Sequence, residues 1–155
     1  MHNLVKHIVK NISISLLVIT TGLISTNANS EQSPEDIIKN RKALFSKNYN
    51  TAKKVQSLSS NGDFDDAKKL MLEMSENYKN LIDMFPDNTK EGFKTEVLPI
   101  IWEEKDKFNS LMEKTSNDMV QLISVIENED DIRGTLKKLM WSNCKACHSK
   151  YRIPH

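Results

Sequence analysis

The chain has 155 residues, room for one compact domain and too few for two of ordinary size. Lys and Arg nearly balance Asp and Glu, for a formal charge of +1, so nothing in the electrostatics calls for nucleic acid or a membrane surface as partner. Gly and Pro are scarce, aromatics make up 6%, and straight-chain residues dominate, which favours helices over strands.

The first residues read as an address. Lys6 and Lys10 form a short basic region, Ile12 to Ile24 is apolar apart from small hydroxyl, Asn and Gly residues, and Thr26-Asn27-Ala28 offers small residues where a signal peptidase inspects the chain. The apolar run has 13 positions, whereas a spanning helix needs about 20. Residues 1–28 are therefore expected to be a signal peptide removed after Ala28, rather than a retained membrane anchor. Residues 29–155 remain as one domain. The signal carries Lys6, Lys10 and no acid, so the mature part has 20 basic and 21 acidic residues, a formal charge of −1, with the two signs expected to intermix.

Ser33-Pro34-Glu35-Asp36 predicts a helix start, with Ser33 at the N-cap, Pro34 at the first helical position and acids in the first turn. Ile37, Ile38, Leu44, Phe45, Ala52, Val55 and Leu58 follow at helical spacing, with Arg41 on or beside the inward stripe. Ser59 to Asp63 stops this helix. In a second helix Ala67, Leu70, Met71, Met74, Tyr78, Leu81, Ile82 and Phe85 form one apolar face. Pro86-Asp87-Asn88 breaks it, and a connection over 89–96 follows, with Phe93 expected to cover the end of the core. A third helix is predicted over Val97–Glu127 on a nearly seven-residue repeat running from Leu98 to Ile126. The fourth, from about Asp130, places Ile132, Leu136, Leu139, Met140, Cys147 and Tyr151 inward. No stretch alternates with period two, so no strand is expected. The fold class is all-α, an antiparallel four-helix bundle.

Both cysteines fall in Cys144-Lys145-Ala146-Cys147-His148, the attachment pattern of c-type haem. Two cysteines three apart share a helical face and can form thioethers to both vinyl groups of one porphyrin, and the following histidine can bind iron. Export agrees with this, because haem is attached outside the cytoplasm. A thioredoxin-like redox pair would need a βαβ context that is absent. A zinc site would draw on Cys144, Cys147, His148 and His155, but adjacent Cys147 and His148 point about 100° apart on a helix, an awkward start for a tetrahedron. Two inert buried cysteines would not require His148.

The segment Cys144-Lys145-Ala146-Cys147-His148-Ser149-Lys150-Tyr151-Arg152 resembles the C-terminal signature of cytochromes c′, Cys-x-x-Cys-His-x-x-Tyr-Arg. Pro34 to Arg41 is similar to that family's opening, and Ile101-Trp102 followed by Phe108 adds a third likeness. The resemblance spans Ser33 to Arg152. It implies a four-helix bundle with one covalent haem c, in a periplasmic protein that is usually a homodimer. It makes His148 the proximal iron ligand, puts Arg152 beside the proximal haem face, Arg41 near the haem propionates, and Phe45, one turn after Arg41, on the distal face. Phenylalanine has no donor atom, so iron is expected to be five-coordinate and open to a small gas molecule. The implied function is electron transfer with redox partner proteins, binding of nitric oxide or carbon monoxide, or both, and the resemblance suggests protection from nitric oxide. One alternative is a low-spin electron carrier with a Met sixth ligand. Ser33–Ser60 contains no Met, however, and Met71, Met74, Met84, Met112, Met119 and Met140 lie at core spacing. Another is a zinc-stabilised helical module. No catalytic constellation is visible, so the chain is not expected to be an enzyme.

Overall fold

A computed structural model describes residues 32–154; the expected signal peptide, residues 1–28, lies outside them, as does His155. Helix α1 runs Pro34–Asn61, started as the sequence predicts: Ser33 Oγ accepts from the Asp36 amide at 3.1 Å and Pro34 opens the first turn. Gly62 ends it at φ 83°, a left-handed position that only glycine takes freely, while the Asp63 amide donates to Leu58 O at 2.9 Å. Helix α2 (Phe64–Ile82) follows at once, and so short a link makes the pair antiparallel.

Past α2 the chain makes a 3-10 turn, Asp87–Thr89, then three successive left-handed residues, Gly92, Phe93 and Lys94. The Thr95 amide donates to Gly92 O at 2.9 Å, and Lys42 Nζ donates to Lys94 O at 2.9 Å, holding the run in place. The expectation that Phe93 covers the core is corrected: the ring is 53% exposed, carried outward by the left-handed run.

The third rod also differs from its expected bounds. It begins at Ile100, not Val97, with Pro99 at its N-cap, because Pro99 lacks an N–H and its ring disfavours helical backbone at the preceding Leu98. A short α3 (Ile100–Glu103) is broken at Glu104, φ −119° and ψ 41°, before α4 (Lys105–Val125) continues. Residues 97–98 are used elsewhere. Val97 forms an isolated antiparallel bridge with Arg152, in which the Leu98 amide donates to Tyr151 O and the Ile153 amide to Glu96 O, both at 2.9 Å. Among the described residues this bridge is the sole β pairing, and there is no strand.

The fourth rod is α5 (Ile132–Leu136), a π turn over Lys137–Trp141, and α6 (Ser142–Tyr151). α2 packs on both α1 and α4, and the last rod closes the bundle against α4 and α1. The interior is rich in methionine, with Met71, Met74, Met112, Met119 and Met140 all buried beside Leu81, Phe108, Leu122 and Leu136. Each such side chain contributes about 1.5–3 kcal/mol by leaving water. Two buried polar pairs fix the register of the helices. Ser75 Oγ meets Ser116 Oγ at 2.8 Å between α2 and α4, and Asn77 Nδ2 donates to Asn48 Oδ1 at 2.8 Å between α2 and α1.

Candidate functional site

The π turn sets the aim of the last helix. There the Ser142 amide reaches back five residues to Lys137 O, so the turn holds one residue more than an α turn. In α6 the three-residue spacing then brings Cys144 and Cys147 to one face, and both line a cavity of about 560 Å³. That size lies within the range of pockets that enclose small-molecule cofactors. All six site residues expected from the sequence, Arg41, Phe45, Cys144, Cys147, His148 and Arg152, stand on its wall.

The cavity's apolar side is a chain of rings packed edge to face from α1 to α6. Phe45 meets Phe85 at 6.4 Å between centroids, Phe85 meets Phe108 at 4.7 Å, and Phe108 meets Tyr151 at 5.2 Å. Phe45 itself is half-buried.

Neither cysteine is in a disulfide, and both are partly buried. Burial raises the Cys144 thiol above its ordinary range, opposed in part by the Tyr78 hydroxyl. Burial, and then Cys144 beside it, pushes Cys147 up to about 12. Thiols held in the protonated form are poorly suited to disulfide exchange, which needs a thiolate. Tyr78, also buried on the wall, is raised in turn, first by burial and then by Cys144. Among the described residues no three His, Cys, Asp or Glu side chains are grouped as a metal ion would require. The fourth donor of the zinc reading, His155, lies outside them.

Arg41 is 1% exposed. Its Nη1 donates to Thr89 Oγ1 at 2.9 Å and Met84 O at 3.2 Å, and its Nη2 to Thr95 Oγ1 at 2.6 Å and Thr89 O at 3.0 Å. The guanidinium lies 4.7 Å over the Phe85 ring. Burial lowers its pKa to about 10. These partners are neutral, and among the described residues the buried Nε has no hydrogen-bond partner. Glu96, the one acid on the wall among the described residues, accepts from Arg152 Nη2 at 2.8 Å and Nε at 3.1 Å. Arg41 and Lys42 thus leave one edge of the cavity positively charged.

A haem fits this donor set. There are two thiols on one helical face, an imidazole at the next position, apolar aromatic walls for the ring, and a cationic edge of Arg41 and Lys42 toward its acidic groups. Sequence reasoning missed Tyr78, Thr95 and Asn143 on the same wall. Tyr78 reads as one more core residue of the second stripe, and Thr95 sits in the irregular connection. Asn143 had a signal: a polar residue at a buried position directly before Cys144. Its Nδ2 donates to Asp118 Oδ2 at 2.7 Å and to Leu139 O at 2.9 Å.

A family model described as Cytochrome C′ matches residues 36–152. The cytochrome c′ of Rhodopseudomonas palustris is 28% identical over 134 residues, covering 84% of this chain and 91% of that protein. The solved structure of cytochrome c′ from Rhodopseudomonas palustris superposes with a TM-score of 0.70 at 28% identity, over 79% of this chain and 98% of that one. A cytochrome c-556 of Agrobacterium tumefaciens is 35% identical over 71 residues, 44% of this chain and 57% of that protein.

Proposed function

The chain belongs to the cytochrome c′ family, and from that premise we propose that it is a periplasmic haem protein that exchanges electrons and binds small gas ligands at a five-coordinate iron. Its cofactor is one covalently bound haem c. Haem iron supplies one-electron ferric–ferrous exchange and, where an axial position is open, a site for a diatomic molecule.

In this reading Cys144 and Cys147 hold the ring as thioethers and His148 supplies the axial nitrogen. Arg41, on the cavity wall, answers the acidic side groups, since a fixed guanidinium pairs well with carboxylate. Arg152, held by Glu96 and by the bridge to Val97, closes the proximal side. Phe45 excludes bulky or strongly hydrated ligands from the other face without binding iron itself. The observation that carries the reading is that Arg41 and Phe45, from the first helix, share one cavity wall with Cys144, Cys147 and His148 from the last.

The low-spin alternative needs a methionine on the cavity, and among the described residues Met112 is the only one on the wall. It is 1% exposed within the α4 core stripe, a packing position. Export with removal of residues 1–28, and a homodimer, belong to the same proposal and rest on the family. Among the described residues no helix is long and apolar enough to cross a membrane.

Absorption spectra of ferric and ferrous protein, with and without carbon monoxide, test the proposal. High-spin bands that shift on adding the gas are expected. A sharp low-spin ferrous spectrum indifferent to carbon monoxide would overturn the open iron face, and a mature chain lacking the mass of one haem after denaturation would overturn the attachment.

A further inference from the structure

All 21 acidic residues lie outside two stretches, 37–62 and 132–155, which together hold 12 of the 22 Lys and Arg residues. The first stretch is α1 beyond its opening turn, and the second contains α5, the π turn and α6. The expectation of intermixed signs is therefore corrected: the charges balance in total but separate in the fold.

Ion pairing is fuller on α2 and α4 than on α1 and the last rod. On α2 and α4, Lys68, Lys69, Lys79, Lys107 and Lys114 each pair with an acid. On α1 and the last rod Lys47 pairs with Glu73, Lys150 with Glu104 and Arg152 with Glu96, while Lys42, Lys53, Lys137, Lys138 and Lys145 are exposed and none of these five pairs with a described acid. These five lysines without a described counter-ion, on stretches that hold no acid, leave a net cationic face.

That face has an aromatic centre at the cavity mouth. Tyr49 is 56% exposed and lines the cavity with Cys144 and Cys147. Its ring meets Trp141 edge to face at 6.2 Å, Lys53 Nζ lies 4.6 Å over it, and Trp141 Nε1 donates to Gln56 Oε1 at 2.8 Å. These contacts join α1 to the π turn, so the aromatic pair lies between Lys53 and Lys42 on α1 and Lys137, Lys138 and Lys145, three or four positions from Trp141 on the last rod. An aromatic centre with a charged rim is the anatomy of a protein-docking patch.

We propose that this face docks an acidic partner protein at the cavity mouth. The inference rests on the haem reading above, which gives a redox partner its reason to approach there. Charge complementarity favours an acidic protein: cations left without counter-ions steer such a partner and orient it. The apolar centre of this face is one aromatic pair, exposed Tyr49 and part-buried Trp141, not the long apolar stripe with which a helix enters lipid. A second copy of this chain would bring the same cations if it met like face to like.

The test uses purified holoprotein and flavodoxin, a small acidic redox protein, as probe, with affinity read by calorimetry at low and high salt. Binding is expected to weaken as salt rises. Lys53→Glu/Lys138→Glu should raise Kd by about tenfold or more at low salt. Lys69→Glu/Lys79→Glu changes net charge equally from the α2 side and should leave Kd unchanged. No binding by the unaltered protein, or equal weakening in both variants, overturns the proposal. So does preferential binding to phosphatidylglycerol vesicles, or self-association in sedimentation, that only the first variant loses; these assign the face to lipid or to a second copy. Circular dichroism of both variants checks folding. Mass of the denatured chain reports covalent haem separately, so failed attachment and failed docking give different results.

Discussion

Asn143 Nδ2 donates to Asp118 Oδ2 at 2.7 Å, a buried bond between α4 and α6 that fixes the residue immediately before Cys144. The same carboxylate pairs with Lys114, and Asn143 also satisfies Leu139 O beside the π turn. Asp118→Ala leaves the Asn143 amide short of its acceptor in a buried position. Hydrogen bonds to charged groups contribute about 1.5–3 kcal/mol, so a loss of that size is expected in urea denaturation of the holoprotein. An unchanged midpoint would mean this contact is not holding the attachment segment.

Arg41→Lys keeps the charge and loses the fork. The four contacts to Met84, Thr89 and Thr95 cannot all be made by one ammonium, and a loss of about 2–4 kcal/mol is expected. Because those partners lie on the connection after α2, limited proteolysis should cut faster within 90–95. Wild-type stability together with wild-type protection there would show that Arg41 does not brace the connection.

Phe45→Ala removes the half-buried ring that α1 sets against Phe85. Association of carbon monoxide with ferrous protein should accelerate by about tenfold, equivalent to roughly 1.4 kcal/mol of barrier. Unchanged association kinetics would remove Phe45 from the distal face.

Tyr78 makes stability fall in alkali. Its phenol, buried first of all and then beside Cys144, titrates above its ordinary value of 10.0, so the unfolded chain gives up this proton before the folded one. Above pH 10 the native state binds more protons than the unfolded state, and stability declines as pH rises; below that pH the contribution is fully present. Urea midpoints across this window should drop more steeply for wild type than for Tyr78→Phe. Parallel profiles would show that another group is responsible.

The sequence revealed the bundle wherever regular periodicity or a capping residue carried the information. Ser33-Pro34 and Gly62 bound α1, and the second stripe from Ala67 to Phe85 matches α2 and its extension into the core. It fell short where one residue's backbone limits overrode a periodic pattern. The heptad from Leu98 continues through Pro99, yet Pro99 forbids the helix on its N-terminal side. The π turn leaves no trace in apolar spacing, because both sides of it still read as inward stripes. In the site, a five-residue motif and a family likeness led to residues on both sides of the cavity. Tyr78 and Thr95 stayed hidden because a hydroxyl on a core stripe, or in an irregular connection, looks like any other until the folded chain brings it to the wall.

The extra residue held in the Lys137–Trp141 turn makes the angular phase of α6 independent of α5. Ile132 and Leu136 can satisfy the core at one rotation while Cys144 and Cys147 reach the cavity at another. Deleting Lys138 would remove that offset and swing the cysteine pair by about 100° around the helix axis, toward solvent. The chain could then keep a packed bundle and still present its thiols to the wrong side for attachment.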